Sequence, residues 1–111
     1  MGLDFSHTDA RWSYSGFGNF RKRLAEQIGM DLDNMEGFGG NVPFHIYQDD
    51  IIPLLDHSDC DGELTPDECK QVAPRLRELV SGWEDYDKLN ALKLADGMEL
   101  AANRGESLEF Q

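Results

Sequence analysis

The chain has 111 residues, enough for one domain of ordinary size and too few for a second core. Hydrophobic residues at 40% exceed what a disordered chain carries, so one ordered domain over 1–111 is expected. Twenty-two Asp and Glu against ten Lys and Arg, a net charge of −12, oppose binding to nucleic-acid phosphates or anionic membranes.

Leu3 and Phe5 alternate with polar neighbours, as do Leu108 and Phe110, which predicts a short strand pair between the two ends. Ser15 is placed to cap a helix over 16–28 whose Phe17, Phe20, Leu24 and Ile28 recur at spacings of three and four, with Gly29 to end it. Phe17 and Phe20 read as core. Trp12 and Tyr14, set among small residues, are candidates for a partner-binding surface. Arg21-Lys22-Arg23 starts a basic stripe, read as a solvated face that offsets nearby acids. Met30 to Val42, rich in Gly, Asp and Asn, reads as a loop with one turn. Phe44 to Leu55 is apolar enough for a helix that Pro53 either starts or kinks. Thr65-Pro66-Asp67-Glu68 is a strong helix start: a Thr cap, Pro at the first position and a Glu reaching back. Cys69, Val72, Ala73, Leu76, Leu79, Val80 and Trp83 then line one face, with a bend expected at Pro74. A last helix over 85–103 presents Tyr86, Leu89, Leu92, Met98 and Ala102, and Gly105 closes it. The fold class is therefore mainly α, with at most a short terminal strand pair.

Charge is segregated along the chain: residues 31–68 hold eleven Asp and Glu and no Lys or Arg. Self-repulsion there calls for a bound cation or a basic partner. Met1 to His7 lacks the charged and apolar regions of a signal peptide, and no run approaches the roughly 18 apolar residues of a membrane span, so a cytoplasmic location is expected. In that setting Cys60 and Cys69 are thiols or ligands rather than a disulfide.

One segment carries chemistry. Asp56-His57-Ser58-Asp59-Cys60-Asp61-Gly62-Glu63-Leu64-Thr65-Pro66-Asp67-Glu68 resembles an EF-hand calcium loop. It has alternate carboxylates at Asp59 and Asp61, a Gly for the sharp turn, a main-chain carbonyl at Glu63, an inward apolar Leu64 and a Glu on the exiting helix. With Gly62 as sixth residue, Glu68 is the twelfth and His57, a poor ligand for a hard cation, is the first. In the preferred register Asp56 is the first ligand and the loop holds one extra residue. The resemblance implies Ca²⁺ on Asp56, Asp59, Asp61, Glu63 and Glu68 within a helix-loop-helix, although no second loop is present to pair with it. Two other readings stay open. In one, the segment is an acidic helix-turn-helix in which Glu68 only completes the cap. In the other, His57, Cys60 and Cys69 hold a transition metal with His7 or His45 as fourth ligand.

Ser6-His7-Thr8-Asp9 contains the side-chain types of a hydrolase triad, but strand neighbours point to opposite faces, and no enzyme is expected. Met1 to His7, Trp12 to Phe17, Asp59 to Glu68 and Ala73 to Val80 are similar to small uncharacterised proteins of bacteria and their phages, which implies an intracellular or phage setting and no mechanism. The sequence thus reads as a non-enzymatic acidic protein-interaction module with one calcium loop and a protein partner, for which the net charge of −12 favours a basic surface. The alternative is a phage-type acidic decoy occupying the basic groove of a host nucleic-acid-handling protein.

Overall fold

The computed structural model describes residues 2–35, 39–56 and 62–110, with the side chains of Gly2 and His45 left aside. His57, Asp59, Cys60 and Asp61, singled out above, lie outside the described residues. The chain opens on a strand β1 (Gly2–Asp4) that turns back at once to pair antiparallel with β2 (Arg11–Ser13), Leu3 opposite Trp12. Leu3 and Trp12 face inward, while Arg11 reaches Asp4 at 3.1 Å on the outer face. The predicted pairing of the two ends is reduced to a single antiparallel bridge, Phe5 to Phe110. A short hairpin closes at lower entropic cost than a pairing across the whole chain, which leaves Phe5 alone to reach the far end.

Helix α1 (Tyr14–Gln27) begins two residues earlier than expected, because the hydroxyl of Ser13, not Ser15, accepts the Gly16 N–H at 3.0 Å. Gly29 ends it in a left-handed conformation (φ 74°), where Gly29 N–H bonds Glu26 and Met30 N–H bonds Ala25. Phe17, Phe20, Leu24 and Ala25 face the core. After a 3₁₀ turn at Leu32–Asn34, the helix anticipated over 44–55 breaks into two short pieces. These are a 3₁₀ turn, Phe44–Ile46, and the single-turn α2 (Ile52–Leu55). Asp49 causes the break: its side chain accepts the Ile51 N–H and its carbonyl the Ile52 N–H, a local turn that competes with helix.

The second half of the fold is two long helices framed by two strands, β3 (Gly62–Leu64) and β4 (Leu108–Phe110), which pair antiparallel. Between them, α3 (Pro66–Leu79) packs along α4 (Tyr86–Asn103). The predicted face of α3 is buried as read, from Cys69 to Leu79, and the helix continues unbroken through Pro74. The expected face of α4 holds in part: Met98 is buried, and Leu92 and Ala102 pack against the core. Tyr86 and Leu89 are exposed, and the buried residues are Asn90, Ala91, Leu94, Ala95, Gly97, Met98 and Ala101. Small side chains let α3 and the N-terminal turn approach closely, and contact area replaces side-chain size. Asn90, buried at this face, accepts the Arg11 N–H and donates to the Tyr86 carbonyl, which satisfies it.

The rings of Phe5, Trp12, Phe17, Phe20, Trp83 and Phe110 form one cluster, with Trp12 stacked on Phe20 at 4.6 Å and Phe5 edge-on to Phe110 at 4.9 Å. At its rim, Arg23 lies 3.8 Å above the Trp83 ring and bonds Asp85 and Asp87, while Trp12 donates its indole N–H to Asp87. The N-terminal turn is seated against α4 at Gly97, where an added Cβ would lie 2.6 Å from the Thr8 Cβ and 3.2 Å from the His7 carbonyl oxygen. Thr8 also donates its hydroxyl to the Lys93 carbonyl. Gly97→Ala should therefore destabilise the protein by about 1–3 kcal/mol, despite alanine's better helix propensity. Thermal or urea denaturation checks it, and a variant as stable as the parent would show that the turn is not seated there.

Candidate metal centre

The segment resembling a calcium loop lies between α2 and α3. Its described part begins with Asp56, exposed at the end of α2, and resumes at Gly62. Gly62 has φ 102°, a conformation open to glycine and strained for any other residue, so the turn requires it. Leu64 is fully buried, and Thr65 caps α3 by accepting the Glu68 N–H at 3.2 Å. Glu68 Oε1 in turn accepts the Thr65 N–H at 2.9 Å, completing the capping box read from the sequence. This bond holds the Glu68 carboxylate beside the first turn of α3.

The ladder fixes where the Glu63 carbonyl points. Glu63 faces Glu109 across the β3–β4 pair. The backbone of Glu109 is directed the other way, toward the N-terminal turn: its carbonyl accepts the Ser6 N–H at 2.9 Å, and its N–H donates to Ser6 Oγ at 2.8 Å. In an antiparallel pair the two backbones either exchange both hydrogen bonds or turn both away. The Glu63 carbonyl is therefore turned away from β4, toward the edge of β3 that carries no strand among the described residues.

The other donors proposed from sequence sort by burial. Cys69 is fully buried, its Sγ is 3.7 Å from the Leu64 carbonyl, and burial pushes its thiol up, away from the thiolate a zinc ion needs. His7 is engaged elsewhere, between Ser6 and Glu106. Neither is presented to a transition metal. Among the described residues no three His, Cys, Asp or Glu side chains converge on one point. Of the remaining proposed ligands, His57, Asp59, Cys60 and Asp61 lie outside the described residues. The donors of the calcium reading are all oxygens, a set that suits a hard cation.

Trp12, proposed as a partner contact, is a core residue, 3% exposed beneath the aromatic cluster. Its size and stacking on Phe20 draw it inward, and its one polar atom is satisfied by Asp87. Tyr14 is exposed, on the wall of a groove of about 400 Å³ with Gly18, Asn19, Lys22 and Asp33. No known protein family, curated protein or solved structure matches the chain.

Two features escaped the sequence reading. Arg21, taken as part of a solvated stripe, is 1% exposed, its guanidinium over the Phe17 ring and its Nη1 3.4 Å from the Leu55 carbonyl, one residue before Asp56. A helical period places it on the buried face with Phe17 and Leu24, a signal that its charge masked. Second, Ser6 and His7 do bond to each other: residues 5–8 form a turn rather than a strand, with His7 at φ 67°. Ser6 Oγ donates to His7 Nδ1 (2.7 Å) in the tautomer whose Nε2–H donates to Glu106 (2.9 Å). The ring nitrogens are reversed relative to a hydrolase triad, and Ser6 Oγ already accepts the Glu109 N–H. The arrangement is a clasp on the backbone.

Asp49 orients the chain just before α2. Both its carboxylate oxygens are bonded by Arg75 of α3, at 3.0 and 2.9 Å, and this holds the carboxyl below the ordinary aspartate value of 3.8. A lowered folded value adds stability that is present above the unfolded value and is lost as pH falls through the folded one. The melting-temperature advantage of wild type over Asp49→Asn should thus hold at neutral pH and vanish as pH drops below about 4. A constant difference down to pH 2 would remove the pair from the account.

Proposed function

We propose that the chain is a non-enzymatic, acidic protein-interaction module whose 56–68 loop binds calcium. The observation that carries this reading is the second half of the loop. A glycine at φ 102°, a carbonyl turned away from the paired strand, a buried Leu64 and a glutamate held at the start of a capped helix follow one another in the order calcium coordination needs. Asp56, Asp59, Asp61 and Glu68 would supply carboxylate oxygens and Glu63 its main-chain carbonyl. The ion would offset repulsion in this acid-rich segment, where, among the described residues, Asp33 pairs with Lys22 and Asp49 with Arg75. For a protein partner, the net charge of −12 favours a basic surface.

Glu68→Gln separates the two roles of that residue, because glutamine keeps the capping box and loses the charge. Millimolar calcium should raise the melting temperature of the wild type, since a ligand bound only by the folded state adds stability as RT ln(1 + [L]/Kd). EDTA should remove the gain, and Glu68→Gln should melt alike with and without calcium. Identical wild-type curves in calcium, magnesium and chelator would leave Glu68 with its capping role alone.

A further inference from the structure

We propose that the groove between α1 and the 3₁₀ turn at Leu32–Asn34 binds a neutral, hydroxyl-bearing small molecule of the monosaccharide class. Nothing in this site requires the calcium proposed above. The groove holds about 400 Å³, within the range of small-molecule sites, and is lined by α1 on one side and by Leu32 and Asp33 on the other. Gly18 opens it. Glycine inside a helix is disfavoured against alanine, so each one calls for a reason. Gly16 has one, since an added Cβ would lie 2.8 Å from the Ser13 hydroxyl that caps α1, and Gly97 has one in its contact with Thr8. At Gly18 a Cβ would meet nothing within 4 Å, and the backbone is ordinary helix. Neither conformation nor packing within the chain asks for glycine there. What the missing side chain provides is room in the groove.

The groups around that room select the ligand. Tyr14, Ser15 and Asn19 line it, and among the described residues their side chains make no hydrogen bond within the protein, so two hydroxyls and an amide are left to offer donors and acceptors without charge. The charges at the mouth are matched to each other: Lys22 Nζ lies 3.2 Å from Asp33 Oδ1 and joins the two walls. Arg21, also in the lining, is used by the core, where it bonds the Leu55 carbonyl and lies over the Phe17 ring. An ionic ligand would have to break the Lys22–Asp33 pair or give up hydration without a counter-charge, and an anion would also meet the field of a chain at −12. A neutral ligand breaks nothing, because the ammonium has further N–H donors and the carboxylate further lone pairs to share. Hydroxyls both donate and accept, which matches this mixed lining, and the C–H face of a sugar ring suits the Tyr14 ring, 36% exposed beside them.

The test follows amide chemical shifts of the full chain by NMR while four forms of one ring are titrated: glucose and N-acetylglucosamine, which are neutral, glucosamine, a cation, and glucuronate, an anion. At least one neutral sugar should shift Tyr14, Ser15, Asn19 and Asp33 with a Kd of about 1 mM, the strength open to so small a ligand, and both charged forms should bind more weakly. Gly18→Leu fills the groove and should lose the shifts. Asn19→Ala, at an exposed position, should weaken binding about fivefold to tenfold, the loss of one neutral hydrogen bond. Gly18→Ala should melt above the wild type, since nothing opposes its Cβ. No shift with either neutral sugar, tighter binding of glucosamine or glucuronate, unchanged binding in Asn19→Ala, or shifts that survive in Gly18→Leu would overturn the proposal. So would a Gly18→Ala variant that melts below the wild type, because the glycine would then serve the fold.

Discussion

Six aromatic rings have to be kept from water by a chain that supplies them from both its ends and its middle, and most of the architecture follows from that requirement. Phe5 and Trp12 come from the N-terminal hairpin, Phe17 and Phe20 from α1, Trp83 from the α3–α4 connection and Phe110 from β4. None of these segments can bury its own rings. The cluster therefore holds the hairpin on α1, brings β4 beside Phe5, and sets the connection after α3 where Arg23 can lie over Trp83. Burying an aromatic side chain contributes on the order of 1.5–3 kcal/mol, and edge-to-face contacts add to it. Deleting one ring would disturb several elements together.

What could be read from sequence was what local chemistry decides. Thr65, Pro66 and Glu68 announce the start of α3 because cap, first residue and returning carboxylate lie within four positions. Gly29 and Gly105 mark helix ends for the same reason, each adopting the left-handed conformation that closes the last turn. Of the strand partners, only the meeting of Phe5 with Phe110 was read; the pairing of β4 with β3 spans more than forty residues and that of β1 with β2 displaced the rest of the expected terminal pair. The N-terminal part of the α4 face, Tyr86 and Leu89, was misassigned for a related reason. Hydrophobic size points to Tyr86 and Leu89, whereas the neighbours of α4 demand the small side chains of Ala91, Ala95, Gly97 and Ala101. Arg21 was misplaced because charge was taken to imply solvent. At the candidate metal centre, the turn glycine, the inward leucine and the cap were legible. The direction of the Glu63 carbonyl was not, because it depends on which way Glu109 bonds.

The acidic composition is distributed with some economy. Several carboxylates have structural tasks: Asp87 accepts from Trp12 and Arg23, Asp49 holds Arg75, Asp85 caps α4, and Glu106 holds His7. Glu63 and Glu109 are exposed and face one another across the β3–β4 pair. The net negative charge of −12 sets the long-range field that a cation or a basic surface would meet.

Placing Phe110 inside the aromatic cluster, against rings contributed by residues 5 and 17, also constrains how the protein is made. During synthesis the hairpin and α1 leave the ribosome long before residues 108–110 do. Until that strand clears the exit tunnel, one wall of the cluster is missing and apolar surface stays open to water. The fold can therefore close only once residues 108–110 have emerged, and the growing chain depends on its own solubility, which its many carboxylates favour, to reach that point without association.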